Sequence, residues 1–404
     1  MNKKLLAIAI AGVLAAPLAQ AQTANVTLYG RINVDTEVLI NAKQDVTGGS
    51  IKQNLYRVQS NSSRFGIRGS ESLGGGLNAI FQIENGSLGI TNSGGLLAGR
   101  DTFVGLQGGW GTMKIGYFLT PYDDPSVIFG SVPTFITSIL GSQSLWSNSG
   151  WVGNTQTGGA FDDRASASVR YDTPNYKGFT GSFQVSGANS GADSGAVTLG
   201  AQRRHASLYS VNGMYNNGPF KAGLAYEQRN NYRGNATAGG PRLTDQGWYG
   251  TAGWDFGIVY VGAVYEQLKY DIETGGDLKR NLWGLGASGN LGPGQYYLGY
   301  QWAGDGTGSS KNYSSFVGAV KKGDNTGAQW WTVSYTYPLS KRTLMYAGYV
   351  MIQNESNGQY NFAVGAVPGL CNGAQASTAT GAPIQTCGNS ARPQGLLAGL
   401  VHNF

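Results

Sequence analysis

The chain runs in segments of roughly ten residues that alternate apolar with polar side chains, separated in turn by short reversals and long polar stretches. In the first segment Val26, Leu28, Ile32 and Val34 face one way, while Thr27, Tyr29, Arg31, Asn33 and Asp35 face the other. In the sixth, Ala165, Ala167, Val169 and Tyr171 oppose Arg164, Ser166, Ser168 and Arg170. In the fourteenth, Trp331, Val333, Tyr335 and Tyr337 oppose Trp330, Thr332, Ser334 and Thr336. A period of two belongs to strands whose two faces meet different surroundings. Short connections fall at 71–76, 107–111, 172–178, 216–219, 255–257, 290–294 and 338–342, each with the Gly, Pro or Asn that a tight reversal needs. Long ones fall near 36–56, 85–99, 118–163, 187–203, 229–246, 269–279, 303–327 and 352–393. Seven turns and eight loops separate sixteen strands, and an even count lets the last strand pair with the first.

What covers the apolar face decides between a soluble sandwich and a membrane barrel. A sandwich needs a second sheet over its aromatic-rich face. Here the aromatics Tyr29, Trp110, Tyr171, Trp254, Phe256, Tyr337 and Phe404 gather at strand ends, which suits a membrane-interface girdle. Glycine, at 65 residues, is more than twice its usual share of about 7%. With 23 Tyr, 9 Trp and only 12% charged residues, neither collagen nor disorder fits, and a β-rich fold remains. Beyond the N-terminal segment no run of eighteen apolar residues occurs, so helical membrane spans are excluded.

Both ends point outward from the cytoplasm. Lys3-Lys4, the apolar run from Leu5 to Leu14 and the small-residue site Ala19-Gln20-Ala21 predict a signal peptide over 1–21, with the barrel over 22–404. At the other end Leu396, Ala398, Leu400, His402 and Phe404 share one mostly apolar face, finishing on a terminal aromatic. An exported chain with such a closing strand is expected in the bacterial outer membrane. The formal charge is +6, of which Lys3 and Lys4 belong to the signal. The remaining basic residues are scattered, and no nucleic-acid partner is expected. Cys371 and Cys387 lie in one turn-rich segment, and export makes a disulfide the natural reading, with two unpaired thiols as the alternative. No cofactor or metal site is expected, since the chain holds only His205 and His402. An enzyme is not expected either: neither His has a Ser or Asp partner at motif spacing, and no Gly-Xaa-Ser-Xaa-Gly elbow occurs.

Four stretches carry a likeness to a known family: 25–30 (NVTLYG), 63–84 (SRFGIRGSESLGGGLNAIFQIE), 169–175 (VRYDTPN) and 339–343 (LSKRT), together with the terminal Phe404. In that order they resemble the trimeric general porins of Gram-negative outer membranes, particularly the β-proteobacterial type. The resemblance implies an all-β, sixteen-stranded antiparallel transmembrane β-barrel, a homotrimer, and a third loop folded into the pore as its constriction. It also implies passive diffusion of small hydrophilic solutes, outer-membrane lipid and lipopolysaccharide as surroundings, and recognition of the Phe404 strand by the barrel-assembly machinery.

In such a channel the relevant residues set pore radius and field. Parity puts Arg64 and Arg68 opposite Phe65 and Ile67, hence in the lumen, and places Arg31, Arg100, Arg164 and Arg170 there too. Arg64, Arg100 and Arg164 match the family's basic wall best. The 118–163 segment matches the constriction loop by position, with Asp123, Asp124, Ser131, Thr134, Phe135 and Ser138 as candidate lining residues. After Asp124 it carries no acid until Asp162 and Asp163, which predicts a one-sidedly positive wall and mild anion selectivity. Its Phe129, Phe135, Trp146 and Trp151 raise an alternative, a channel preferring organic, even aromatic, anions; packing against the wall is the simpler role for these rings.

Overall fold

A computed structural model of the chain describes residues 25–46, 49–86, 99–129, 138–148, 161–187, 207–231, 243–273, 276–311, 316–362 and 389–404. The expected signal, Ser131, Thr134, Phe135, Trp151, His205, Cys371 and Cys387 lie outside these residues. The fold is a closed antiparallel barrel. Its strands are β1 (Asn25–Val46), β2 (Gly49–Ser60 and, after a break, Arg64–Gly74), β3 (Leu77–Glu84), β4 (Thr102–Gly108), β5 (Gly111–Leu119) and β6 (Arg164–Asp172). They continue as β7 (Phe179–Gly187), β8 (Ser207–Asn217), β9 (Phe220–Asn230), β10 (Thr244–Asp255) and β11 (Tyr260–Glu273). The circuit ends with β12 (Gly276–Leu291), β13 (Gly294–Ala303), β14 (Ala328–Pro338), β15 (Thr343–Asn354) and β16 (Gln394–Asn403). Every strand pairs with its chain neighbours, and β16 pairs with β1 from Arg31↔Asn403 to Ile40↔Gln394. Closure leaves no open edge, as hydrocarbon surroundings require.

Outside β6 the alternation holds. Val26, Leu28, Val104, Ile115, Leu285, Val333 and Leu400 are exposed on the outer face, while Asn33, Ser210, Thr332 and Val401 are buried on the inner one. Outer aromatics form two belts. At the short-turn end Phe179, Tyr215, Phe220, Trp254 and Phe256 follow one another with ring centroids 4.5 to 6.4 Å apart, and Trp110 stacks on Tyr171 at 6.0 Å. At the long-loop end Trp283, Tyr300 and Trp331 make the matching series. Tyr29 departs from the expected girdle: its hydroxyl donates to Glu84 Oε2 at 2.9 Å on the inner side, as its shared parity with Arg31 dictates.

Two connections expected to be loops are strand. β1 and β2 pair up to Val46↔Gly49, and β11 and β12 up to Glu273↔Gly276. The run Asn41-Ala42-Lys43-Gln44 carries no apolar alternation and so reads as loop, yet the ladder extends past the apolar band. β2 breaks at Asn61–Ser63, where Ser62 takes φ 56°. The break is stitched to β1: Ser63 Oγ accepts from Asn33 N at 2.9 Å, and Asn61 N donates to Asn33 O at 2.8 Å.

At the seam Phe404 continues the ladder beyond β16. Gly30 N donates to Phe404 O and Phe404 N to Gly30 O, both at 3.0 Å. The Phe404 ring lies on the Gly30 α-carbon, so near that a Cβ there would come within 2.1 Å of it.

The long connection between β5 and β6 turns inward. Ser126–Phe129 forms one short helical turn, and Ile128 and Phe129 are buried against the inner faces of β9, β11 and β12. Farther along, Ile139 and Leu140 reach Gly395 and Gly348 on β16 and β15.

Candidate pore-lining site

The inner wall has two surfaces, which the same period-two pattern fills with different side chains. Over β1–β3 the register stacks three rows. Thr27, Arg68 and Gln82 form one; Tyr29, Gly66 and Glu84 the next; Arg31 and Arg64 the third. Gly66 has no side chain, which lets the Tyr29 ring lie across β2 to reach Glu84; a Cβ would meet that ring at 2.6 Å. Glu84 then gathers the cations. Arg100 Nε lies 2.5 Å from its Oε1 and Arg64 Nε 3.5 Å from its Oε2. Arg68 stacks over Tyr29 with its guanidinium carbon 5.0 Å from the ring centroid. Arg31 is within electrostatic reach of Arg64 and Arg100. Two guanidiniums thus share one carboxylate, with those of Arg68 and Arg31 nearby.

Arg164 and Arg170 sit differently. Ala167 takes φ 51°, and the register slips by one residue, with Gly116 facing Ser168 but Phe118 facing Ala165. This bulge breaks the alternation that placed Arg164 and Arg170 on one side. Arg164 is in register with Leu119, and its Nε bonds Asp101 Oδ1 at 2.6 Å; it also lies within electrostatic reach of Arg100. Arg170 is 8% exposed and held by Asp124 Oδ2 at 2.5 Å and Asp172 Oδ1 at 2.7 Å. Asp172 also takes Lys114, at 2.8 Å.

The loop carboxylates therefore stand beside the basic wall, not across from it. Asp124 serves Arg170 and accepts from Asn212 Nδ2 at 2.7 Å. Burial, followed by the nearby Asp162 and Asp124, pushes the Asp123 carboxyl up to about 8. The expected one-sidedly positive wall is in fact a mosaic in which Glu84, Asp101, Asp124 and Asp172 each hold an arginine. Sequence alternation put all six arginines on one face, which the bulge at Ala167 disrupts between Arg164 and Arg170. It missed their partners, because only the register brings Glu84 beside Arg64 and only the bulge brings Asp101 to Arg164.

The second surface, over β9–β12, receives the loop. Tyr260 Oη donates to Ile128 O at 2.6 Å and Thr251 Oγ1 to Pro125 O at 3.1 Å. Inward glycines allow the approach: a Cβ at Gly262 would come within 2.7 Å of Ile128 O, and one at Gly286 within 2.8 Å of Phe129 O. Beyond the helical turn the chain is locked by a fully buried ion pair, Glu266 with Arg280. Glu266 Oε1 also accepts from Tyr122 Oη at 2.9 Å and Ser147 N at 2.8 Å, while Arg280 donates to Leu145 O. Trp146 stacks on Tyr249 at 5.0 Å, and Phe161 packs between Tyr122 and Tyr270. Phe129 and Trp146 are buried in this cluster, so neither ring is presented to a passing solute. Ser138 is buried too, its Oγ accepting from Leu140 N at 3.2 Å. His402 is exposed at the seam, its Nδ1 2.9 Å from Thr343 Oγ1.

The comparisons with known proteins agree with this architecture. The family model for Gram-negative porins matches residues 6–357. Outer membrane porin protein 32 of Delftia acidovorans is 30% identical over 88% of this chain and 90% of its own. An outer membrane porin protein of Bordetella pertussis is 29% identical over 86% and 93%. Among solved structures, an anion-selective porin from Comamonas acidovorans superposes with a TM-score of 0.70 at 24% identity, over 95% of this chain and 100% of its own. OmpT of Vibrio cholerae gives 0.63 at 13% identity, over 96% and 100%. An outer-membrane barrel that conducts passively, with no part for enzyme chemistry, is what such relatives and such a fold share: the chain belongs to the Gram-negative porin family.

Proposed function

We propose that this porin is a general diffusion channel with a mild preference for anions, narrowed by the inward-folded third loop between the arginine cluster and the β9–β12 wall. The observation that carries the preference is the inner face of β1–β3, where Arg64 and Arg100 share the one carboxylate of Glu84 and Arg68 stacks on Tyr29 beside them. Excess positive charge in a low-dielectric, water-filled narrowing lowers the entry cost of anions and raises that of cations. Carboxylates interleaved with the other arginines keep the preference mild. The similarly folded Comamonas acidovorans porin is described as anion-selective, which accords with this reading.

A homotrimer in outer-membrane lipid and lipopolysaccharide completes the proposal, in keeping with the trimer form known for the similarly folded Vibrio cholerae OmpT. Residues 1–21 act as a cleaved signal, Cys371 and Cys387 join in the last long loop, and the Phe404 strand addresses the chain to the assembly machinery. Reversal potentials in a salt gradient across a planar bilayer test the selectivity. Neutralising Arg64, Arg100 and Arg164 together should lower the anion-to-cation permeability ratio several-fold with conductance retained. A ratio unmoved by that triple change, or cation preference in the native channel, overturns the assignment.

A further inference from the structure

The rings of the docked loop are withdrawn from the lumen, but two aromatics of the opposite wall are not. Tyr29 and Phe103 have inward parity, and both are only half-buried. Tyr29 lies over Gly66 and is held there by its hydroxyl, which donates to Glu84 Oε2 at 2.9 Å. The ring is thereby fixed, and the Arg68 guanidinium carbon stands over it, 5.0 Å from the centroid. Phe103 lies on the level of Arg68 two strands along, since Arg68 is in register with Gln82 and Gln82 with Phe103. At about 4.8 Å per strand, about 10 Å separates the two α-carbons. This level is one rung nearer the short turns than Glu84.

Charge sets Arg68 apart from its neighbours. Arg64 and Arg100 share Glu84, Arg164 holds Asp101, and Arg170 holds Asp124 and Asp172. Arg68 is exposed, and among the described residues no acid or carbonyl accepts from it. Its N–H donors stay open to whatever enters the lumen. A guanidinium takes a carboxylate edge-on, through two parallel bonds in its own plane. At Phe103 the local cation is already matched: Lys114 Nζ lies 5.4 Å from the ring centroid and 2.8 Å from Asp172. That corner offers aromatic surface with its charge neutralised. An open guanidinium and a lumen-facing ring thus stand near enough for one small molecule to touch both, because the arginine side chain itself covers part of the separation.

We propose that Arg68 and Phe103, with Tyr29 as the platform under the guanidinium, form a subsite for a small aromatic carboxylate in transit, a specificity that rests on the anion-preferring channel. Arg68 takes the carboxylate and Phe103 the flat apolar body. The probe is benzoate, compared with acetate, in planar-bilayer recordings of chloride current through single channels. Benzoate should halve the current at a concentration about threefold to tenfold below that of acetate, the margin one aromatic contact supplies. R68K keeps a positive charge without the planar fork, and should raise the half-blocking concentration of benzoate about threefold or more. F103L should bring benzoate to the level of acetate. Single-channel recording reads only inserted barrels, so a variant that folds poorly still answers through the channels that form, and the native comparison needs no variant. Anion preference with equal block by benzoate and acetate overturns the subsite alone, and so does a benzoate margin that survives both substitutions. Cation preference in the native channel would instead overturn the anion-preferring channel on which the subsite rests.

Discussion

Around β9–β12 the inward positions hold glycines, aromatics and two buried ion pairs, Glu266–Arg280 and Glu227–Arg229; around β1–β3 they hold arginines within reach of water. Both surfaces obey the same alternation, and both face the same lumen. The difference lies in what comes to meet them. Where the third loop docks, Gly262 and Gly286 remove side chains so that two backbones can touch, and burial is nearly complete. Where no described segment docks, the wall keeps long cationic side chains, each steadied by a neighbouring acid or ring. One half of the interior behaves as a protein core, the other as a charged surface that happens to be concave.

Arg280→Ala should strain this contrast most. It leaves Glu266 buried without its counter-charge, and breaking such a pair costs about 3–5 kcal/mol. Denaturant unfolding should show the loss, and single-channel traces should become noisier as the limb holding Leu145 and Ser147 loosens; an unchanged midpoint and quiet traces would show that the pair does not lock the loop. Next comes Gly262→Ala, which pushes a methyl against the Ile128 and Phe129 carbonyls. Overpacking of this kind costs about 1–3 kcal/mol, and conductance should shift because the helical turn must move. The same substitution at Gly213, which nothing approaches within 4 Å, should be silent.

On the charged side, Arg68→Gln tests the stacked arginine alone. The anion-to-cation ratio should fall by less than for the triple neutralisation, while stability stays within about 0.5 kcal/mol. The smallest effect belongs to pH. Asp123, with its carboxyl pushed up to about 8, is largely protonated at neutral pH and ionises as pH rises through that value. The added negative charge beside Arg164 should weaken anion preference between about pH 7 and 9. Asp123→Asn should remove that dependence, and a pH-independent ratio in the native channel would show that the group titrates elsewhere.

Much of the barrel was legible in the sequence. Strand number, the seven short turns and the parity of Val401, on the buried inner side as its neighbours require, follow from a period that a single sequence displays. Two kinds of feature were not. Strand ends at 36–56 looked like loop because outside the apolar band both faces of a strand are polar, and alternation vanishes. Partners such as Glu84 for Arg64, or Asp101 for Arg164, depend on register and on the bulge at Ala167, which leave no mark in a one-dimensional pattern. The excess glycine was visible, but its meaning was not. Only with the loop in place do Gly262, Gly286, Gly348 and Gly395 become landing points, and inward parity was the signal that could have singled them out.

The contact between Phe404 and Gly30 also bears on how the molecule forms. Each interior strand of the sheet finds its partner nearby in the chain, so hairpins can assemble piecemeal. The seam alone joins opposite ends of the described chain, and such distant pairing is slow because a long stretch must be ordered before it is rewarded. Until it forms, β1 and β16 are bare edges of a sheet with an apolar face, the kind of surface that recruits other chains. The ring seated on Gly30 is therefore a timing element, since the period of greatest vulnerability ends when it settles.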